Sequence, residues 1–576
     1  MSPVRCAGVE DVTTDATEFP WLKTYPSFAA WDMPLPAVPV YQLLLDAVAR
    51  FPDRPAMEFL GRRWTYAETG ALAAKVAAGL QQRGVVKGTR VALLLPNTPY
   101  YVAAYCGALM IGAVVVNLNP LYAERELERL VKDSGCDVLV TMDLAAMYPK
   151  ALALLERGLF KTMIVCSMAE ALPPLSGILF RLFKSGMLAS VKDDPRHVRF
   201  DDLTNNAGTY TAVPIDPKTD LAVLQYTGGT TGEPKGAMLS HANITANARQ
   251  VSSWYGTPVL GQERFLAALP FFHVFAMTVA MLTAFEYGAE IIMMPRFDLK
   301  DCLKTIHKKK PTFFPAVPTI FTAINNAPDV GKYDLTSLKL CISGGAPLPV
   351  EVKKEFEAVT KCVVVEGYGL SETSPVVCTN PTAGVNKAGS VGQPLPGTIV
   401  EIRATDDDRV LGLNEKGEIC VKGPQVMQGY WNRPDATAEV MKNGAFHTGD
   451  IGTIDKDGFV FIVDRIKDMI NASGYKIYPR MVEEAIHLHP AVEEVTVIGV
   501  PHPYRGQAPK AFIKLKSGMN VTEEELRAFL KDKLSAVERP EYYEFRNELP
   551  KTLIGKLSRK ELEAEEAEKA KAKAVS

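Results

Sequence analysis

The sequence predicts an α/β fold: a large N-terminal body of parallel α/β subdomains with a β-rich region, then a small α+β C-terminal unit. Three observations carry this. Strand-like and helix-like patterns alternate through 56–141, which indicates βαβ units and a parallel sheet. From about Thr398 the texture changes to short apolar runs separated by turn residues. After Asp464 a compact mixture of helix and strand patterns takes over.

Residues 56–60 and 63–65 read as a short hairpin. Residues 66–83 carry Leu72, Val76 and Leu80 at helical spacing and end at Gly84, a suitable C-terminal cap. Strands at 90–95, 113–118 and 137–141 alternate with helices at 100–111 and 124–134. In the β-rich region, 417–423 and 459–463 read as strands between the turn signals at 406–408, 414–417, 442–444 and 455–458. The C-terminal unit follows with a helix near 479–487, strands at 492–500 and 510–516, and a helix at 522–534. Thr522-Glu523-Glu524-Glu525 is a capping-box pattern at the start of that last helix. The Ala/Glu/Lys-rich tail 561–573 is expected to be a solvated or frayed helix.

The 576 residues predict three to five compact units, or one large body with an appendage, at about 100–200 residues per domain. Charge is balanced, 64 Lys+Arg against 66 Asp+Glu, with 47% hydrophobic and 23% charged residues. This is ordinary globular usage and excludes a disordered chain or a small disulfide scaffold. It also argues against a nucleic-acid partner held by a generally basic surface, leaving only a local groove. Nine scattered cysteines without CxxC or metal-ligand spacing read as buried thiols of a cytoplasmic protein. The first residues, MSPVRCAGVEDVTTD, lack the apolar core of a cleaved signal.

Two apolar stretches, 100–116 and 266–285, are weighed against the about 20 residues a membrane span needs. The first is too short and the second contains Pro270 and His273, so buried core helices are expected. Segment 175–187 is different: Leu175, Ile178, Leu179, Leu182 and Phe183 share one helical face, with Arg181 and Lys184 near its edge. Packing on its own domain is the commoner fate of such a helix. Peripheral contact with the inner membrane surface is the alternative. No feature points to an oligomeric state.

The strongest local signal is Tyr226-Thr-Gly-Gly-Thr-Thr-Gly-Glu-Pro-Lys-Gly236, directly after a strand-like run. Thr227, Gly228, Gly229, Thr230, Thr231, Gly232 and Lys235 supply free backbone N–H groups, hydroxyls and a cation, the groups polyphosphate oxygens require. It is not a Walker A loop, and Gly367-Tyr368-Gly369 lacks the third glycine of a dinucleotide fingerprint. Downstream, Ser343-Gly344-Gly345-Ala346-Pro347 follows a strand where backbone can approach a ligand closely. The run Glu366-Gly367-Tyr368-Gly369-Leu370-Ser371-Glu372-Thr373 offers an aromatic face, a carboxylate for a divalent cation and a hydroxyl for a phosphate. His447-Thr448-Gly449-Asp450 adds a carboxylate for ribose hydroxyls. Each is weak alone; their order is the argument.

These motifs, with DRIKDMINASGYKIYP at 464–479 and LPKTLIGK at 549–556, resemble in order and spacing those of the acyl-adenylate-forming superfamily. The run 443–450 through Tyr478-Pro479, together with YPSFAAWDMP, NTPYY and NLNPLY, resembles the long-chain fatty acid–CoA ligases of bacteria. The resemblance implies two steps: a fatty acid carboxylate attacks the α-phosphate of ATP with loss of pyrophosphate, and the thiol of CoA then displaces AMP. It implies Mg2+ on Thr227 and Glu372, and pyrophosphate in the 228–235 loop. Tyr368 would stack on adenine beside Gly345 and Ala346, Thr373 would touch the α-phosphate, and Asp450 and Arg465 would hold the ribose. Glu366, Gly367 and Gly369 belong to the same nucleotide site. Lys556 would bridge the reacting carboxylate and phosphate; His273, Val274, Met277 and Gly344 would line the acyl pocket.

The resemblance further implies a body at 1–465 and a mobile domain at 466–576, hinged at Lys467. That domain would withdraw Lys556 and present Ser473, Gly474 and Tyr475 to the thioester site, where Gly474 suits close approach of pantetheine. Medium-chain, dicarboxylate and aryl-CoA ligases share these motifs, as does a fatty acyl-AMP ligase serving a carrier protein. No carrier domain is fused here and no extra block stands near the hinge. A non-catalytic lipid-binding relative is opposed by the intact Lys556, Glu372 and Thr373.

Overall fold

The computed structural model describes residues 19–227, 234–472, 475–551 and 557–575, with side chains to 569. Among them the chain forms four sheets. One has seven strands in the order His197–Arg199, Thr162–Cys166, Val138–Met142, Arg90–Leu93, Val114–Asn117, Leu221–Thr227 and Lys235–Ser240. All neighbours are parallel except the last pair, which frames the Thr/Gly loop as a hairpin with Thr227 opposite Lys235. A second sheet of nine strands has a parallel centre from Pro55–Phe59 to Val363–Gly369. Antiparallel pairs flank it at both ends.

The βαβ alternation predicted for 56–141 is present with boundaries within a residue or two. The helix Tyr66–Gln82 begins at a capping box, in which Thr65 accepts from the Glu68 N–H and Glu68 accepts from the Thr65 N–H. The helix Pro99–Met110 is buried all round, and the strand Val114–Asn117 after it is also buried. The 266–285 stretch is likewise core, though more broken than expected. It runs from the strand Arg264–Ala267 through a short helix at Val274–Ala276 and a π-helical turn at Met277–Leu282 to the helix Thr283–Tyr287. No helix among the described residues is long and apolar enough to cross a membrane.

The β-rich region is a five-stranded antiparallel sheet built on Ile399–Arg403, Gly417–Lys422, Ala445–Ile454 and Val460–Arg465. Beyond it, Val492–His502 and Gly506–Leu515 form a long antiparallel pair, flanked by Ile470–Ala472 and by Tyr542–Phe545. The helix Pro479–His487 covers this sheet. Its apolar clusters draw only on residues 470–562, apart from the main core.

Two elements depart from expectation. The helix predicted to 534 ends at Phe529, capped by Leu530, although Thr522 caps its start as foreseen. The tail is not merely solvated: in the helix Arg559–Val575, Leu562 is fully buried against Ile498, Val500 and Phe512. Glu565 and Glu566 on that helix pair with Arg546 and Lys510. A single buried leucine in a run of Ala, Glu and Lys leaves too little periodicity to reveal the docked face. The eight described cysteines are buried and unpaired; Cys6 lies outside the described residues.

The helices Tyr66–Gln82 and Pro99–Met110 pack closely because Gly107 lets the backbones approach. A Cβ there would lie 2.7 Å from the Ala73 carbonyl oxygen and 2.8 Å from Val76. Gly107→Val is therefore expected to destabilise the chain by about 1–3 kcal/mol through overpacking. Denaturant unfolding checks this, with Gly84→Ala, at a position with open space but φ +81°, as a milder comparison.

Candidate active site

Three segments distant in sequence converge at Asp450. The antiparallel pairing of Ala445–Ile454 with Val460–Arg465 sets Asp450 opposite Arg465, whose Nε lies 3.2 Å from one carboxylate oxygen. The other oxygen accepts a 2.6 Å hydrogen bond from the Tyr368 hydroxyl, carried in on the strand Val363–Gly369. Tyr368 and Asp450 are both buried. Burial raises the carboxyl group above its ordinary range, and Arg465 and the Tyr368 hydroxyl work against that rise. The site offers an aromatic ring, an anionic acceptor and a guanidinium within one hydrogen-bonded unit.

A second unit forms around Glu372, on the short turn Ser371–Thr373. This turn packs against both strands of the hairpin, Leu221–Thr227 and Lys235–Ser240. Glu372 is buried, and its carboxylate accepts a 2.7 Å bond from the Tyr430 hydroxyl. The Tyr430 ring receives Lys235 Nζ at 5.1 Å from its centroid, and the backbone N–H of Trp431 donates to the Gly236 carbonyl. Tyr430 thus ties the Lys235 end of the hairpin to Glu372. Nothing in the sequence marked it, because its partners stand 58 and 195 residues away by numbering.

Thr373 is fully buried. Its hydroxyl donates to the Pro375 carbonyl and accepts from the Leu370 N–H at 3.1 Å. Gly369 has no room for a side chain, since a Cβ would lie 2.0 Å from the Pro375 oxygen. Gly367 is less crowded; its nearest contact would be Thr379 Oγ1 at 3.5 Å. Glu366, buried, accepts from the Leu348 N–H at 3.0 Å and so pins the turn that contains Gly345 and Ala346. Gly345 adopts φ +83°, a conformation that favours glycine.

On the apolar side, a Cβ on Gly344 would touch the Phe275 ring at 3.0 Å. Phe275 was not singled out by the sequence, although it stands between Val274 and Met277 and shares their burial. Its N–H donates to His273 Nδ1 at 3.2 Å, so His273 caps the short helix it precedes. Met277 opens the π-helical turn, a feature that recurs at functional sites. Its sulfur lies 3.6 Å from the Asn117 amide, which also donates to Gln225 at 3.0 Å.

At the C-terminal unit, Lys467 stands on the turn Ile466–Asp468 with Nζ 3.6 Å from Asp468, and partial burial lowers its pKa. Arg559 spans the junction: it bonds Asp468 at 2.9 Å and Glu483 at 2.7 Å and reaches Asp464 at 3.3 Å. Tyr475 is exposed. Gly228, Gly229, Thr230, Thr231, Gly232, Ser473, Gly474 and Lys556 lie outside the described residues.

Comparison with known proteins gives this geometry its family. The model of the AMP-binding enzyme family matches residues 44–431, and that of the AMP-binding enzyme C-terminal domain matches 481–556. The chain belongs to the AMP-binding enzyme family. A long-chain-fatty-acid–CoA ligase of Bacillus subtilis (strain 168) is 45% identical over 561 residues, 95% of this chain and 98% of its own. One from Escherichia coli O157:H7 is 40% identical over 564 residues, with the same coverage. Among solved structures, ATP-bound MatB from Rhodopseudomonas palustris superposes with a TM-score of 0.80 at 28% identity, over 92% of this chain and 98% of that one. The matched body contains the Tyr430–Glu372 unit, and the segment from Asp450 to Arg465 lies between the two matched regions.

Burial pushes the Glu366 carboxyl from its ordinary value near 4.5 up to about 7, opposed by the charge of Arg480. Ionising it costs more in the folded chain than in the unfolded one. Its contribution is therefore present below the unfolded pKa and lost as pH rises toward 7, by no more than about 3 kcal/mol. Glu366→Gln is expected to flatten the decline in stability between these values; thermal melts at a series of pH values measure it.

Proposed function

We propose that this chain is a long-chain fatty acid–CoA ligase of the AMP-forming kind. The observation that carries the reading is identity of 45% and 40%, over nearly the whole of both chains, to ligases of that name. Fatty acid carboxylate attacks the α-phosphate of ATP and pyrophosphate leaves. The CoA thiol then attacks the acyl carbonyl, and AMP leaves.

The chemistry has one central difficulty, the approach of an anion to a polyphosphate. Preorganised donors and cations lower that cost without a covalent intermediate on the enzyme. In our reading Lys235 and the 228–232 loop take the departing pyrophosphate. Tyr368 presents its ring to adenine, and Asp450 with Arg465 holds the ribose. Thr227 and Glu372 offer a hydroxyl and a buried carboxylate, the oxygen ligands a hard divalent cation prefers, and would hold Mg2+, which neutralises phosphate charge. Tyr430 orients Glu372 for that purpose. Lys556 bridges carboxylate and α-phosphate during adenylation. Val274, Phe275 and Met277 line the path of the acyl chain, beside Gly344.

The domain boundary belongs to the same proposal: 1–465 as the body and 466–576 as a unit that turns about Lys467 between half-reactions. Rotation would have to release Arg559 from Asp464, which is held at 3.3 Å here. Ser473, Gly474 and Tyr475 would then face the pantetheine of CoA. The reaction takes place in the cytoplasm.

Pyrophosphate release over a panel of acids, with and without CoA, tests the activity. Long-chain acids are expected to turn over best and to require CoA for multiple turnovers; a benzoate or dicarboxylate as best substrate would overturn the chain-length reading. Lys556→Ala should cut adenylation by about 10²-fold or more while thioesterification of supplied acyl-AMP is largely kept. Equal loss of both steps would refute the exchange of roles. Tyr430→Phe keeps the ring under Lys235 and removes the bond to Glu372. It is expected to raise severalfold the Mg2+ concentration for half-maximal adenylation, with little change in melting temperature.

A further inference from the structure

The strand that carries Asp450 also carries His447, and a second set of ligand-type side chains gathers around that ring. The register of Gly417–Lys422 against Ala445–Ile454 sets Cys420 directly opposite His447, with Sγ 3.4 Å from the imidazole Nδ1. The register slips between Glu418 and Cys420, and Glu418 also reaches the ring. Its Oε2 lies 2.9 Å from Nδ1, while its Oε1 accepts from the Gly449 N–H at 2.9 Å. The turn after Ile399–Arg403 brings Asp408 to the other ring nitrogen, with Oδ1 3.6 Å from Nε2. A carboxylate oxygen of Asp408, the Cys420 sulfur and a nitrogen of His447 lie within 4.8 Å of one another.

One nitrogen of this buried ring lacks a hydrogen bond. The His447 side chain is 9% exposed, and Nε2 has no hydrogen-bond partner, since 3.6 Å to Asp408 exceeds the range of one. With Nδ1–H donating to Glu418, Nε2 turns its lone pair toward a carboxylate, an arrangement that a cation between them relieves. Asp408 keeps Oδ1 for that side: Arg403 holds Oδ2 at 3.0 Å, and the Asn443 amide donates to the same oxygen and keeps the carboxyl below its ordinary range. Arg403 and Lys422 share Glu401. With His447 neutral, Glu401, Asp408 and Glu418 therefore outnumber the two bases by one charge. Burial pushes the Cys420 thiol up, so a proton stays on sulfur unless a metal ion replaces it.

We propose that Asp408, Cys420 and His447 bind Zn2+, with Glu418 orienting the imidazole from its other nitrogen. A sulfur, an imidazole nitrogen and one carboxylate oxygen are donors that suit zinc, whereas Mg2+ and Ca2+ take oxygen ligands. The spacing agrees. Zinc bonds of about 2.0–2.2 Å at a tetrahedral angle set nitrogen and oxygen about 3.4 Å apart, close to the 3.6 Å between Nε2 and Oδ1. On binding, the Cys420 proton passes to solvent and the thiolate joins the ion, with water as the fourth ligand. The ion would fasten the turn carrying Asp408 to the strand Ala445–Ile454 just ahead of Asp450. The site shares no residue with the Thr227–Glu372 pair proposed for Mg2+. Its consequence for nucleotide binding at Asp450 rests on the ligase reading above; the binding of the ion does not.

Full-length protein stripped by a chelator and titrated with Zn2+ against a chromophoric competitor tests the site. One Zn2+ per chain is expected, and Co2+ in its place should give the near-ultraviolet absorption of a cobalt–thiolate bond. Glu418→Gln is expected to weaken Zn2+ binding about 10–100-fold, and Cys420→Ser or His447→Gln to weaken it further and abolish the cobalt–thiolate band or shift it. In peptide mapping, Zn2+ should shield Cys420 from alkylation and leave the rate at Cys302, buried elsewhere, unchanged. A wild-type chain that binds no Zn2+, or binds it with Cys420 unshielded and no cobalt–thiolate absorption, overturns the proposal however the variants fold. So does a Cys420→Ser protein that holds Zn2+ as tightly as wild type. Turnover of acids without Zn2+ binding would sink this site alone. Binding of one Zn2+ by a protein that activates no acid would sink the ligase reading and leave the site standing.

Discussion

The buried carboxylate of Asp450 sets the terms for the rest of the site. A charge removed from water is tolerated only when it is paired and hydrogen-bonded. Arg465 and the Tyr368 hydroxyl meet those two needs from opposite sides. Satisfying them brings the end of the strand Val363–Gly369 against Ala445–Ile454, an inner strand of the five-stranded antiparallel sheet. The large parallel sheet and the β-rich region are thus joined at the point where ring, carboxylate and guanidinium meet.

The same economy of partners governs Glu372. Its carboxylate lies in a buried setting that raises its pKa, and the Tyr430 hydroxyl bond opposes that rise. Because Tyr430 also lies under Lys235, the carboxylate and the phosphate-loop cation are positioned by one side chain. The two opposite charges are in this way set by the packing of strand, turn and ring. The chain therefore needs no excess of positive charge to manage an anionic substrate, in keeping with its near-neutral balance.

The junction with the C-terminal unit works through a different balance. Arg559 is shared among Asp464, Asp468 and Glu483, and Asp464 also accepts from the Arg480 N–H at 2.7 Å. Two acids on the C-terminal side and one at the end of the body compete for one guanidinium. A shared cation of this kind holds an arrangement firmly while leaving most of its partners in place if the junction turns. The core of the C-terminal unit, drawn from 470–562, is separate from the main core.

Much of this was legible in the sequence because it is local. Alternating periodicities marked the βαβ units, the Thr522 cap announced its helix, and the motifs named Tyr368, Asp450 and Arg465, which the fold brings together. The limits are equally physical. Leu562 looked solvated because one docked leucine leaves no period. Tyr430 and Phe275 went unnoticed because their meaning lies in partners that only folding supplies. The 175–187 segment shows the division most clearly. The sequence by itself determined that an apolar face and a basic edge exist there, since helical geometry alone aligns those side chains. Whether that face is covered depends on what the rest of the chain packs against it, and the tertiary structure decided that it is bare.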